Sequence, residues 1–165
     1  MERILVALDD RPGSLKTVHY INRMLKGAAH VRILLFHVLP AASPNLLGKD
    51  VIRRIEGLQE EHPHLSGYFW QPEEEDAMRE MFGKARSLLV AGGFPEEQIE
   101  EHFAVESQEV AHIIVQRAAD LGCSTIAMGR RGLSRVKELF LGSVSKSVTA
   151  RAKGITVWVV DTEDV

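Results

Sequence analysis

The chain has 165 residues, of which 45% are hydrophobic, and its formal net charge is -3. This length fits one domain with a core large enough to fold without disulfide staples. The near-balanced charge excludes the basic face that nucleic acids require. The cationic cluster at Arg130, Arg131, Arg135 and Lys137 is too local to change that conclusion.

The cysteine content and the N-terminal residues indicate the cellular compartment of the protein. A single cysteine, Cys123, excludes an internal disulfide framework and a multi-cysteine zinc site. The first apolar run, Ile4 to Leu8, stops at two carboxylates and is far shorter than a signal-peptide core or a membrane span. We therefore expect a cytoplasmic protein with no membrane partner and a buried, inert thiol.

Five short apolar runs alternate with amphipathic stretches along the chain. In chain order the runs are Ile4 to Leu8, Val31 to Val38, Glu101 to Val105, Thr125 to Met128 and Ile155 to Val160. Several are apolar on consecutive residues, which is typical of parallel strands covered by helices on both faces. The alternation predicts βαβ units and a central parallel sheet, an α/β fold.

The stretches between the strands carry apolar residues at helical spacing. They predict helices over Ser14 to Lys26, Met78 to Ala91 and Val110 to Ala119, and a last helix from about Ser143 with Gly154 as its stop. An acidic run at 73–76 stands at a helix start, where negative charge is favourable.

The segment from Pro40 to Pro72 interrupts the alternation. It contains four prolines, an amphipathic piece from Leu46 to Leu58 and an aromatic cluster at 68–70. We interpret it as a partly helical insertion, at about 40–72, in a single domain spanning 1–165. Long segments of this kind are either functional or lids that lie over a sheet edge.

The most informative motif follows the fourth strand. Gly129, Gly132 and Gly142 stand between a strand and a helix, with Ser143 and Ser145 directly behind the last glycine. Glycine backbone and the unpaired N–H groups of a helix start can converge on one anion. The motif predicts a phosphate site, and a tight turn that only joins strand and helix is the alternative.

Other chemistries are excluded because the chain lacks the residues that they need. The fragment Gly142-Ser-Val-Ser-Lys-Ser147 lacks both glycines of a Walker loop, because Ser145 and Phe140 hold those positions. His62 and His64 have no third metal ligand at a suitable spacing. The serines behind Gly142 lack a triad-type base, so no dedicated catalytic site is predicted.

Four pieces of the chain together resemble the universal stress protein family, specifically its nucleotide-binding branch. They are the spacing Gly129-x2-Gly132-x9-Gly142-Ser143, the opening Ile4-Leu-Val-Ala-Leu-Asp9, His37-Val38 at the end of the second strand, and the closing Thr156-Val-Trp-Val-Val160. The resemblance covers nearly the whole chain outside the segment from Pro40 to Pro72. It implies a Rossmann-like, five-stranded parallel sheet of order 3-2-1-4-5, in agreement with the alternation of elements.

The resemblance also implies a function and a set of residues. The chain would bind ATP, with Mg²⁺ carried by the nucleotide, beyond the carboxyl ends of the strands, and act as a stress-response regulator with slow or no hydrolysis. The residues implied at the adenosine are Ala7, Asp9 and Val38, with Met128 and Gly129 at the nucleoside end of the glycine turn. Those implied at the phosphates are Gly132, Gly142, Ser143, Val144 and Ser145.

The chain departs from the family pattern at three places. Asp10-Arg11-Pro12 stands where a Gly-Ser pair often follows the aspartate, Glu106-Ser107 replaces a frequent glycine, and Arg135 replaces a small residue. For Asp9, a ribose contact and a cap of the strand end both stay open. The departures support an alternative, a dimeric interaction protein of the same fold that does not bind nucleotide. An ATP-using hydrolase would need a first-turn phosphate loop and a positioned base, which the sequence lacks.

The last strand, Ile155 to Val160, is expected at the edge of the sheet. Exposed apolar edge strands tend to be covered or paired. The resemblance implies that this strand pairs with its copy in a homodimer, and Trp158 is the expected interface residue because an indole is costly to leave in water.

Overall fold

The computed structural model describes residues 1–26, 28–40, 72–106, 109–130 and 142–161. In these ranges five strands form one parallel sheet of order β3-β2-β1-β4-β5. The strands are β1 (Glu2–Ala7), β2 (Val31–Pro40), β3 (Ile99–Glu106), β4 (Thr125–Gly129) and β5 (Thr156–Val160). The predicted fold class and strand order are confirmed.

Four α-helices occur in the same part of the chain. They are α1 (Ser14–Leu25), α2 (Pro72–Ala91), α3 (Val110–Asp120) and α4 (Ser143–Arg151), and a short 3₁₀ helix, Glu96–Gln98, precedes β3. None of these helices is long and apolar enough to cross a membrane.

Helix α2 begins earlier than its apolar pattern predicts. Its first residue is Pro72, although the apolar stripe begins only at Met78. Proline suits the first position of a helix, where its missing N–H costs nothing, and the glutamates of the first turn face the positive end of the helix dipole. Pro72 therefore belongs to the helix and not to the insertion.

Some predicted features lie outside the described residues. These are the interior of the insertion, 41–71, with His62 and His64, and also Gly132, Arg131 and Arg135 of the turn after β4.

The two faces of the sheet carry separate apolar clusters. Leu5 and Val6 are neighbours in β1 and both are fully buried, yet Val6 lies in the cluster under α1 and α2 and Leu5 in the cluster under α3 and α4. Successive side chains of a strand point to opposite faces, so a strand covered on both sides needs apolar residues at every position. This explains the unbroken apolar runs in the sequence.

Helix α2 is fixed to the edge of the sheet by aromatic contacts. The ring of Phe82 is fully buried, and its centroid lies 4.9 Å from that of Phe103 on β3. The guanidinium of Arg79 lies 5.2 Å from the Phe103 ring centroid. The Arg79 side chain also donates to Glu75 one turn earlier, at 2.9 Å from Nε.

Truncation of Phe82 tests this attachment. Phe82→Ala removes a fully buried ring, so we expect the free energy of unfolding to fall by about 3–5 kcal/mol. The matched control is Val90→Ala on the same helix, where the side chain is exposed and the expected change is within about 0.5 kcal/mol. Urea denaturation followed by circular dichroism measures both. Equal losses in the two variants would contradict this account.

Candidate functional site

The candidate site lies at the carboxyl ends of β1 and β4, in the middle of the sheet. Ala7 and Met128 are register partners there. The chain leaves β1 towards α1 on one face, and leaves β4 towards α4 on the other. A crevice opens where neighbouring strands lead to opposite faces of a parallel sheet, and ligands bind in such crevices.

The floor of the crevice is apolar. Ala7, Val38, Met128 and Val144 all belong to the cluster on the α3 and α4 face. Met128 and Val38 are buried, whereas Ala7 and Val144 are partly exposed. The structure thus brings together four of the predicted site residues, from three strands and one helix.

The residues on either side of the connection from β4 to α4 are hydrogen-bonded to each other. Arg130 donates its N–H to the Val160 carbonyl at 2.6 Å, and Gly142 donates to the Arg130 carbonyl at 2.9 Å. Gly142 then serves as the N-cap of α4 with an extended ψ of 153° and no side-chain cap. The start of α4 is therefore bonded directly to the end of β4.

Three backbone amides at the start of α4 have no partner within the helix. The first helical bond runs from the Lys146 N–H to the Gly142 carbonyl, at 2.8 Å. The N–H groups of Ser143, Val144 and Ser145 precede that bond and have no acceptor among the described residues. Such amides, with the positive end of the helix dipole, attract anions.

The two serines of the motif differ in exposure. Ser145 is only 2% exposed, and its hydroxyl donates to the carbonyls of Gly129 at 2.9 Å and Arg130 at 3.3 Å. Its proton therefore ties α4 to the end of β4 and does not face a ligand, contrary to the expectation of a hydroxyl donor. Ser143, the first residue of α4, is exposed.

Asp9 lies two residues beyond β1 and is held by the turn that follows it. Arg11 contacts it twice: Nη2 lies 2.6 Å from Oδ2, and the backbone N–H donates to Oδ1 at 3.2 Å. The Ser14 hydroxyl also donates to Oδ1, and it accepts from the Asp9 N–H at 3.0 Å. Asp9 thus organises the turn into α1, the structural role that the sequence left open.

Arg11 was missed as a neighbour of the site. Its separation of two residues from Asp9, with Pro12 and Gly13 behind it, is compatible with a turn that folds the guanidinium back onto the carboxylate. That signal is weak because arginine in a polar turn usually extends into solvent. The contact is visible only in three dimensions.

His37 lies beside the site on the opposite face of β2 from Val38. Its Nδ1 lies 2.7 Å from the Leu8 carbonyl, so this nitrogen carries the proton and donates. Burial lowers the pKa of His37 below its usual value. The bond to Leu8 and the carboxylates of Asp9, Asp10 and Glu74 act in the opposite direction and do not overcome burial.

Metal ligands do not gather in the described ranges, where no group of three or more histidine, cysteine or acidic side chains is placed to hold an ion. The described residues offer the crevice backbone amides, an exposed hydroxyl, the partly occupied carboxylate of Asp9 and an apolar floor.

The fold and the crevice define a doubly wound α/β protein with an anion-attracting helix start at its switch point. The model of the universal stress protein family matches residues 1–161, and the chain belongs to this family.

Solved structures of universal stress proteins share the fold. One from Archaeoglobus fulgidus is 21% identical with a TM-score of 0.67, over 96% of this chain and 98% of that chain. One in complex with cAMP is 20% identical with a TM-score of 0.63, over 98% of both chains. A further one from Archaeoglobus fulgidus, in complex with dAMP, is 18% identical with a TM-score of 0.58, over 96% of this chain and 97% of that chain. No curated protein matches the chain.

The lowered pKa of His37 predicts a pH dependence of stability. A histidine with a lowered pKa binds fewer protons in the folded chain than in the unfolded chain. The free energy of unfolding therefore falls as the pH drops through the unfolded pKa of about 6.5. His37→Asn retains a donor for the Leu8 carbonyl. When the pH is lowered from 7.5 to 5.5, we expect its free energy of unfolding to fall by less than that of wild type.

Urea denaturation at both pH values measures this difference. His30→Asn is the matched control for the loss of one histidine, because the side chain of His30 is exposed. A His37→Asn variant with the wild-type pH dependence would show that His37 does not carry the effect.

Proposed function

We propose that this protein binds an adenine nucleotide, ATP with Mg²⁺, in the crevice between β1 and β4. It acts as a cytoplasmic regulator of the stress response and hydrolyses ATP slowly or not at all. The observation that carries the proposal is the row of three unpaired amides at the start of α4, beside the end of β4. The related structures in complex with cAMP and dAMP support an adenine nucleotide as the ligand.

The residues of the crevice fit the parts of such a ligand. The apolar floor of Ala7, Val38 and Met128 suits a purine base, which buries its ring faces. Asp9 accepts a hydrogen bond from the ribose or the base. The phosphates lie at the α4 amides and the Ser143 hydroxyl, where Gly129, Gly132 and Gly142 allow close approach of the backbone.

Magnesium enters with the nucleotide in this proposal. Mg²⁺ prefers phosphate oxygens and water with few protein ligands, so it needs no cluster of carboxylates in the protein. When bound it offsets the negative charge of the phosphates.

Binding is favoured over catalysis by the surroundings of the serines. The Ser145 hydroxyl is bonded to backbone carbonyls, and that of Ser143 has no histidine or carboxylate partner among the described residues. A nucleophile or an activated water needs a positioned base. We therefore assign the protein to ligand sensing and not to rapid turnover.

A charge placed at the α4 amides tests the position of the phosphates. Ser143→Asp puts a carboxylate at the first helical position, where it competes for the amides and repels phosphate. We expect the affinity for Mg-ATP to fall at least tenfold. The helix is not weakened, because aspartate is favourable at this end of a helix, so lost binding cannot be ascribed to unfolding.

Ser147→Asp is the matched control, with the same charge change one helical turn further on, about 6 Å along the axis. Isothermal titration calorimetry with Mg-ATP compares wild type and both variants. Equal affinity in wild type and Ser143→Asp would place the phosphates elsewhere, and no heat with wild type at millimolar ligand would overturn nucleotide binding.

A homodimer through β5 belongs to the same proposal. β5 is an edge strand with partly exposed apolar side chains. Thr156 donates its N–H to the Ser124 carbonyl at 2.9 Å, so by the alternation of strand hydrogen bonds Val157 and Val159 point their N–H groups away from β4. Trp158 is also held within its own chain, since Tyr20 meets it edge to face at 6.0 Å.

Removal of one outward N–H tests the dimer. Val159→Pro deletes a donor that β4 does not use, and edge strands tolerate proline there, so we expect a folded monomer. Val159→Ala keeps the N–H and should stay dimeric. Sedimentation velocity measures the mass, and a dimeric Val159→Pro protein or a monomeric wild type would contradict pairing through β5. A dimer that gives no heat with Mg-ATP would instead favour the interaction protein without nucleotide.

A further inference from the structure

The carboxylate of Asp9 is already largely occupied before any ligand arrives. A carboxylate offers about four acceptor positions. Arg11 takes two of them, through Nη2 and its backbone N–H, and the Ser14 hydroxyl takes a third. One position is left, on Oδ2, where the Arg11 guanidinium already lies at 2.6 Å.

The geometry leads to a role for Arg11 in ligand binding. We infer that Arg11 competes with the bound nucleoside for Asp9 and so lowers the affinity of the crevice for it. Arg11 is a positioning residue, because it acts on the ligand through the carboxylate. This inference rests on the proposed function and names a regulator of the same site.

The Arg11 side chain is only weakly held by its ion pair with Asp9. Its side chain is 37% exposed and that of Asp9 is 34% exposed, so their ion pair is partly solvated and weak. The Nε of Arg11 is buried and has no partner among the described residues. Release of the guanidinium would return this nitrogen to water, which offsets part of the lost ion pair.

The effect of Arg11 differs between neutral and charged ligands. Adenosine has no charge, so its affinity reports the competition for Asp9 alone. ATP also feels the positive charge of Arg11, which attracts its phosphates over several ångströms. Removal of Arg11 should therefore favour adenosine more than ATP.

Arg11→Ala tests the inference with adenosine as the probe. We expect the variant to bind adenosine about two- to fivefold more tightly than wild type, the range that an exposed ion pair supports. Ligand-observed NMR titration suits the weak affinities of a nucleoside. Arg23→Ala, on α1 and about 13 Å further along the helix axis from Ser14, is the control for the loss of one positive charge.

The salt dependence of adenosine binding distinguishes competition for Asp9 from a merely structural role of Arg11. Salt screens a partly exposed ion pair, with a Debye length of about 10 Å at 0.1 M. We therefore expect the affinity of wild type for adenosine to be higher at 0.5 M than at 0.05 M KCl. The affinity of Arg11→Ala should change less between the same two concentrations. Arg11→Lys keeps the charge and should restore most of the wild-type salt dependence.

The outcomes separate the inference from the function on which it rests. If wild type binds Mg-ATP but Arg11→Ala binds adenosine no more tightly than wild type, only the role of Arg11 is overturned. If neither protein binds Mg-ATP or adenosine, the proposed function fails with it. Circular dichroism and urea denaturation establish that each variant is folded.

Discussion

Strand β1 is paired in parallel on both sides, with β2 and with β4, and the position of the site depends on this double pairing. Leu5 and Val6 are fully buried on opposite faces, so the strand is held by apolar contacts from both layers of helices. Because β1 and β4 send the chain to different faces, their carboxyl ends are left open between two helix starts. The crevice is thus a product of topology before any particular side chain is considered.

The local chemistry of the crevice comes from a few bonds at its two sides. On the β4 side, the Ser145 hydroxyl is bonded to the strand end, and the first amides of α4 have no acceptor among the described residues. On the β1 side, the carboxylate of Asp9 is bonded inwards to the turn into α1. The two sides therefore differ: one presents unused donors, and the other presents an acceptor that is already in use.

The central strands could be predicted from the sequence because burial on both faces favours consecutive apolar residues, and the shortness of these runs and the turn residues around them favour strands over helices. The start of α2 could not be read from apolar periodicity, since its first turn is acidic and has no apolar stripe. The side-chain partners of Asp9 and Ser145 were also not predictable. Residue type tells which groups can donate or accept, whereas the rotamers in a turn decide which of them meet.

The backbone bond between Gly142 and Arg130 joins the two ends of the connection that runs from β4 to α4. A main-chain hydrogen bond is short and directional, so it fixes a helix start relative to a strand end independently of the side chains nearby. The position of the α4 start is therefore set by the main chain, and chains with different side chains in these two elements could present the same set of amides.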